Sequence, residues 1–188
     1  SYEYQYYQAG RPVREQEEAQ GHAVRAVYLY SGMADVARST EDEGLWKALE
    51  GLWNNMTKRR MYITGAIGSS HVGEAFTYDY DLPNDTVYGE TCASVGLVFL
   101  AKRMLSIEPK GTYGDVMERA LYNGVISGMN LAGDRFFYVN PLEVLPEASR
   151  KDEGKRHVKP IRQKWFHCAC CPPNLARLLS SLGDYIYG

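Results

Sequence analysis

The spacing of apolar residues along the chain is mainly helical. Between residues 13 and 38, apolar side chains recur every three or four positions, which predicts one or two helices. A second helix is predicted over residues 43–58, where leucines fall on one face between an acidic start and a basic end. Further helices are predicted over residues 92–106, 113–129 and 175–186, the last of them opened by two prolines.

Three segments between these helices lack helical spacing. Residues 64–73 are rich in glycine and serine and lead into a polar loop that ends at Asp85. Residues 134–139 alternate around two phenylalanines and predict a short strand, and the charged residues 147–159 predict an exposed loop. Long loops in a compact domain are usually functional. The pattern as a whole predicts an all-α fold, a helical barrel whose polar loops form a site at one rim.

Composition narrows the class of protein. The chain has 188 residues, of which 45% are apolar and 23% charged, and these values are typical of one soluble domain. No apolar stretch reaches the roughly 20 residues that a membrane-spanning helix needs, and residues 1–10 do not resemble a signal peptide. The net charge of −2 gives no reason to expect nucleic acid or an anionic membrane as a partner. We expect a cytoplasmic protein.

Both ends of the chain indicate a piece of a longer protein. The sequence starts on Ser1 rather than on methionine, and it stops at Gly188 directly after a predicted helix. We therefore expect residues 1–188 to be a fragment of one larger domain.

The cysteines are clustered. Cys168, Cys170 and Cys171 fall within four residues, whereas Cys92 stands alone beside Glu90. Adjacent cysteines bridge each other only with strain, which argues against a disulfide between neighbours. Three thiolates and a carboxylate would fill a tetrahedral zinc site. Buried, inert cysteines near a helix start are the alternative interpretation.

Two further residues are candidates beside this cluster. His167 precedes the cysteines and is the histidine that rivals them as a metal ligand. Glu74 lies in the glycine-rich loop, where a partly apolar pocket would suit a general acid. Alternatively, Glu74 caps a helix or pairs with Arg59 or Arg60.

Seven sequence blocks carry a resemblance to a known family. In order, they are RMYITG at 60–65, GEAF at 73–76, DYDLPN at 79–84, YGETCA at 88–93, DVMERALYN at 115–123, FYVNPL at 137–142 and WFHCACCPPN at 165–174. Together they resemble glycoside hydrolase family 127, the β-L-arabinofuranosidases, over residues 21–187, and they are also similar to the neighbouring family 146.

The resemblance implies a fold and a substrate class. It implies part of an (α/α)6 barrel, with the first barrel helices and the β-sandwich domains that usually follow it lying outside this chain. The substrate would be a glycan or oligosaccharide that contains terminal β-L-arabinofuranose or a related sugar.

The resemblance also implies residue roles. Cys170 would be the nucleophile and Glu74 the general acid/base of a retaining glycosidase, with the two roughly 5 Å apart. One zinc ion would be bound by Glu90, Cys92, Cys170 and Cys171. The sugar in the −1 subsite would be contacted by His22, Glu118 and Tyr138.

Two other function classes stay open on the sequence. A non-catalytic, zinc-stapled carbohydrate-binding or interaction domain would place Glu74 on the surface, away from the thiols. A thiol redox module is disfavoured, because no C-x-x-C motif lies next to a βαβ pattern.

Overall fold

The computed structural model describes residues 2–187, and its α-helices follow one another along the chain. They are α1 (Tyr2–Tyr6), α2 (Ala23–Thr40), α3 (Glu43–Arg59), α4 (Thr91–Ile107), α5 (Gly111–Ala120), α6 (Pro146–Lys151), α7 (Cys171–Ser180) and α8 (Gly183–Ile186). The prediction of an all-α class is confirmed for this part of the chain.

Helix α4 is the centre of the fold. Its sequence is apolar on almost every side, and its residues from Thr91 to Ala101 are all buried. It packs against α2 on one side, α5 on another, and α7 near its start. The core therefore lies around one helix, and the first turn of that helix opens onto the loops.

Several predicted boundaries need correction. The helix predicted from residue 13 begins only at Ala23. Before it, Val13–Glu15 form a short 3₁₀ turn, and the chain is extended at Gln16. The helix predicted over 113–129 ends as α5 at Ala120 and continues as a π-helical turn, Leu121–Val125. The loop predicted at 147–159 contains the short helix α6, although most of its residues are exposed as expected.

The predicted strand at 134–139 is wrong. Within residues 2–187 the extended segments pair only through isolated bridges, such as Phe136 with Gln163 and Val139 with Glu90. Each bridge uses a different partner segment, so no continuous ladder forms.

A buried arginine holds the polar loop that follows the glycine-rich segment. Arg60 donates to Asp79 Oδ1 at 2.7 Å and to the carbonyl oxygen of Ala19 at 2.6 Å. These bonds tie the end of α3 to both the loop and the segment before α2.

None of the helices in residues 2–187 has the length and apolar character needed to cross a bilayer.

Candidate active site and metal centre

Two helix N-termini bring the thiols together. Cys92 lies in the first turn of α4, and Cys171 is the first residue of α7, where Pro172 and Pro173 complete the opening turn. Unpaired backbone N–H groups and the helix dipole favour negative charge at such positions, which suits thiolates. The Sγ atoms of Cys92 and Cys171 are 3.5 Å apart although the residues are 79 positions apart in sequence.

The predicted zinc ligands form one cluster. Single ligand atoms of Glu90, Cys92, Cys170 and Cys171 all lie within 4.8 Å of one another. Cys170 Sγ is 3.2 Å from Glu90 Oε1 and 3.8 Å from Cys171 Sγ. The two chain segments that carry these residues therefore converge, as the metal-site interpretation requires.

Backbone pairing holds the Glu90 segment in place. The amide of Thr91 donates to the carbonyl oxygen of Tyr138 at 2.9 Å, and Glu90 forms a bridge with Val139. Asn140 donates from its side chain to the carbonyl oxygen of Gly89 and to Thr91 Oγ1. The 138–140 segment thus fixes the entry into α4 and brings Tyr138 beside Glu90.

The surroundings shift the pKa values of the acidic groups of the cluster in opposite directions. Hydrogen bonds from the Cys171 and Cys92 thiols hold the pKa of Cys170 far below its ordinary value, and the Tyr138 hydroxyl, 3.3 Å from the sulfur, acts in the same direction. The hydrogen bonds to Cys170 raise the pKa values of Cys171 and Cys92. Burial, followed by the charge of Cys170, raises the pKa of Glu90 to about 9.

These residues fit a divalent cation. Glu90 is 3% exposed, and its Oε2 is buried with no hydrogen-bond partner among the described residues. Four acidic groups so close together cannot all ionise unless a cation neutralises them. Three sulfurs and one oxygen are ligands that zinc accepts in a closed tetrahedral site.

Glu74 faces this cluster. Its Oε2 lies 3.0 Å from His22 Nε2, and its Oε1 accepts a hydrogen bond of 3.0 Å from the Tyr88 hydroxyl. Atoms of His22, Glu74 and Glu90 also lie within 4.8 Å of one another. The hydrogen bonds from His22 and then Tyr88 hold the pKa of Glu74 below its ordinary value against the opposing effect of burial.

The loop places Glu74 through unusual backbone geometry. Gly73 has φ of +70° and Glu74 has φ of +51°, a region that non-glycine residues seldom adopt. Immediately afterwards, Ala75 pairs with His22, and the amide of Phe76 donates to the carbonyl oxygen of Gly21. The turn thereby places the Glu74 side chain beside His22, the N-cap residue of α2. The alternative pairing with Arg59 or Arg60 is wrong, because both arginines bind Asp79 instead.

The remaining candidates divide into two groups. His22 contacts Glu74 and Tyr138 contacts Cys170, so both lie in the site. Glu118 is exposed on α5, and its side chain makes no hydrogen bond or ion pair with the cluster within the described part of the chain. His167 is exposed and is not a member of the ligand cluster.

Sequence reasoning assigned no role to Tyr88. The residue occurs in one of the seven blocks, two positions before Glu90. Gly89, which lies between them, has φ of +52°, so no strand periodicity links the two side chains and membership of that block was the available signal.

Nearly the whole chain is similar to known proteins. A sequence model described as the β-L-arabinofuranosidase GH127 catalytic domain matches residues 2–184. A non-reducing end β-L-arabinofuranosidase from Bifidobacterium longum subsp. longum is 54% identical over 182 residues, which cover 97% of this chain and 28% of that protein.

Solved structures are also similar. A GH127 β-L-arabinofuranosidase from Geobacillus stearothermophilus T6 matches with a TM-score of 0.96 and 64% identity, over 98% of this chain and 29% of the other. A GH127 β-arabinofuranosidase matches with a TM-score of 0.88 and 49% identity, over 97% and 27% of the two chains. This chain thus spans less than a third of the length of these relatives.

Proposed function

The chain belongs to the GH127 β-L-arabinofuranosidase catalytic-domain family, and we propose that it forms the catalytic centre of a retaining glycosidase that releases terminal β-L-arabinofuranose or a related sugar. The substrate is an arabinofuranose-containing glycan or oligosaccharide. The chain would form part of an (α/α)6 barrel in a longer protein. The cytoplasmic location stays a prediction.

One observation carries this proposal. A sulfur with a lowered pKa, Cys170, and a carboxylate, Glu74, both lie beside the buried Glu90 although they come from distant parts of the chain. A retaining glycosidase needs a nucleophile and an acid/base on opposite sides of one glycosidic bond. A purely structural zinc staple needs the sulfurs but gives no reason for Glu74 to face them.

The first step uses both residues. Cys170 Sγ attacks the anomeric carbon and forms a C–S bond as the C–O bond breaks. Glu74 gives a proton to the leaving oxygen, and because its pKa is held low it must take up that proton before this step. In this step the Tyr138 hydroxyl, 3.3 Å from Cys170, keeps the sulfur oriented. The sugar is then held on Cys170 as a thioglycoside.

The second step reverses these roles. Glu74, now ionised, takes a proton from water, and the water oxygen displaces Cys170 Sγ from the anomeric carbon. Two inversions give net retention. A bound zinc ion, held by Glu90, Cys92, Cys170 and Cys171, would keep the Cys170 sulfur in its thiolate form and neutralise the charge of its ligands.

Two single substitutions test this function in the protein that carries the chain. C170S is expected to lower kcat for 4-nitrophenyl β-L-arabinofuranoside by at least about 10³-fold, because it removes the attacking sulfur. E74Q is expected to lower kcat/KM by about 10²–10⁴-fold for glycosides with poor leaving groups, because these depend on protonation. Initial rates and NMR of the first-formed anomer provide the measurement.

The exposed cysteine supplies a matched control. Cys168 lies two positions before Cys170 but outside the ligand cluster, so C168S is expected to keep the wild-type rate. Undiminished turnover of C170S, or an inverted product, would reject the proposed mechanism. Wild-type protein that binds zinc and arabinosides without hydrolysing them would instead support the non-catalytic alternative.

A further inference from the structure

The Tyr88 hydroxyl donates a hydrogen bond to Glu74 and has no role in the proposed mechanism. We propose that Tyr88 is a positioning residue that fixes the carboxyl group of Glu74, so that one defined oxygen exchanges protons with the substrate. This inference rests on the proposed acid/base role of Glu74.

Both carboxylate oxygens of Glu74 are held, each by a different part of the fold. Tyr88, in the loop before α4, donates to Oε1 at 3.0 Å, and His22, at the start of α2, lies 3.0 Å from Oε2. The Nδ1 atom of His22 accepts from the amide of Arg25, so Nε2 carries the proton and donates to Glu74.

Glu74 needs this second donor. It follows a glycine in a turn with positive φ, and its side chain is 33% exposed. A glutamate has three rotatable side-chain bonds, and a single hydrogen bond from His22 leaves its carboxyl plane free to turn. The Tyr88 hydroxyl removes that freedom by holding the other oxygen.

Tyr88 is itself held rigidly. Its amide donates to the carbonyl oxygen of Ser69, and its own carbonyl oxygen accepts from the amide of Asn140. Its ring meets Tyr138 edge to face at a centroid distance of 6.0 Å, and the Tyr138 hydroxyl reaches Cys170. The two tyrosines therefore connect the acid/base to the nucleophile across the site.

The two oxygens of Glu74 differ in their partners. Oε1 accepts from the Tyr88 hydroxyl and Oε2 from His22, so Oε2 is the oxygen beside a predicted sugar contact. In the first step the proton leaves Oε2 for the glycosidic oxygen, which keeps the electron pair of the breaking C–O bond. In the second step water returns a proton to the same oxygen.

The test compares leaving groups in the protein that carries the chain. In Y88F, kcat/KM is expected to fall at least about tenfold more for methyl than for 4-nitrophenyl β-L-arabinofuranoside, because an alkoxide depends on the general acid much more than a nitrophenolate does. Equal losses on both substrates, or no loss, would overturn the proposal. Y62F is the matched control, because it also removes a tyrosine hydroxyl, one that donates to the carbonyl oxygen of Pro83. It is expected to keep the wild-type ratio.

Two non-natural residues separate hydrogen bonding from packing. Replacement of Tyr88 by 4-aminophenylalanine restores a donor and is expected to restore the ratio. Replacement by 4-fluorophenylalanine fills the space without donating and is expected to behave as Y88F does. The opposite order would show that volume, rather than the hydrogen bond, is what matters.

A crystal structure of Y88F decides the question without any activity. The Glu74 carboxyl group is expected to leave its position or to occupy more than one rotamer, and an unchanged carboxyl position would overturn the proposal. Wild-type protein that hydrolyses neither glycoside would reject the proposed function, while this crystallographic result would still decide the role of Tyr88. If Y88F does not fold, the 4-fluorophenylalanine variant replaces it in both measurements.

Discussion

At the scale of single residues, three carboxylates between residues 74 and 90 have three different environments. Asp79 contacts the guanidinium groups of Arg59 and Arg60, whereas Glu74 is bound by the Tyr88 hydroxyl and the His22 imidazole. Glu90 is buried and lies beside a sulfur. Charge partners and burial, more than residue type, separate the structural carboxylate from the two that we propose to move protons and to bind a cation.

Asp79 gives a pH-dependent prediction at this scale. Hydrogen bonds from Arg59, then Arg60, lower its pKa to about 2, compared with about 4 in an unfolded chain. Its stabilising contribution is therefore present above about pH 4 and is lost as the pH falls towards 2. We expect the free energy of unfolding, measured with urea from pH 5 to pH 2, to fall less steeply in D79N than in the wild type.

A second substitution controls for general acid effects. Asp115 is exposed on α5, and D115N is expected to follow the wild-type curve. Parallel curves for D79N and the wild type would show that the two arginines do not stabilise the ionised aspartate.

The sequence identified the residues of the site better than their partners. Residue type and loop position singled out Glu74, Glu90 and the cysteines, because few side chains can bind zinc or move protons. The contact of Glu74 with His22 depends on a turn at Gly73 and on a bridge between distant segments, and neither leaves a periodic signal. The pairing of Glu74 with Arg59 or Arg60, which the sequence left open, does not form because both arginines bind Asp79.

At the scale of secondary-structure elements, helix packing depends on small residues. Gly96 allows α4 to approach α2 closely, because a Cβ atom there would lie 2.4 Å from Val27 Cγ2. Gly124 plays a similar part in the π-helical turn, where a Cβ would lie 2.4 Å from Ser94 Oγ. Apolar spacing predicted a helix through residue 124 but carried no information about how close α4 would come.

The α2–α4 contact yields a prediction. G96A is expected to destabilise the chain by about 1–3 kcal/mol, because Val27 is fully buried and its branched side chain has little rotamer freedom in a helix. Urea unfolding at neutral pH provides the measurement.

A glycine on another helix is the control. Gly51 lies on the exposed face of α3 with open space around its Cβ position, so G51A is expected to stabilise by about 0.5–1 kcal/mol through helix propensity. Stabilisation by both substitutions would contradict the close approach of α2 and α4.

At the scale of the whole molecule, the candidate metal centre joins the two halves of the described chain. Glu90 is the N-cap residue of the central helix α4 and Cys92 lies in its first turn, whereas Cys170 and Cys171 open α7. Between them, the 144–170 region is largely exposed and contains one short helix. The cluster therefore adds to the core packing of Leu175 and Leu178 in holding α7 in place.

Metal removal is expected to loosen this connection. Adding a zinc chelator to zinc-loaded protein should lower the midpoint of thermal unfolding by several degrees. An ion at 100 times its Kd stabilises the folded state by about 2.7 kcal/mol. A change of about 1 kcal/mol shifts the midpoint by about 2–4 °C in a domain of this size. Hydrogen exchange should increase more in α7 than in α3.

Two cysteine variants make this result specific. C171A removes a predicted ligand and should show little response to the chelator, whereas C168A, outside the cluster, should respond as the wild type does. Equal responses of C171A and the wild type would place the bound ion elsewhere.

The long separation in sequence between the two pairs of predicted ligands, Glu90 with Cys92 and Cys170 with Cys171, has a consequence for synthesis on the ribosome. Cys92 precedes Cys171 by 79 positions, so at roughly 5–20 residues per second it is translated about 4–16 s earlier. During that interval the nascent chain contains only two of the four predicted ligands, Glu90 and Cys92. A four-ligand site for the proposed zinc ion can therefore be completed only after Cys170 and Cys171 have been translated.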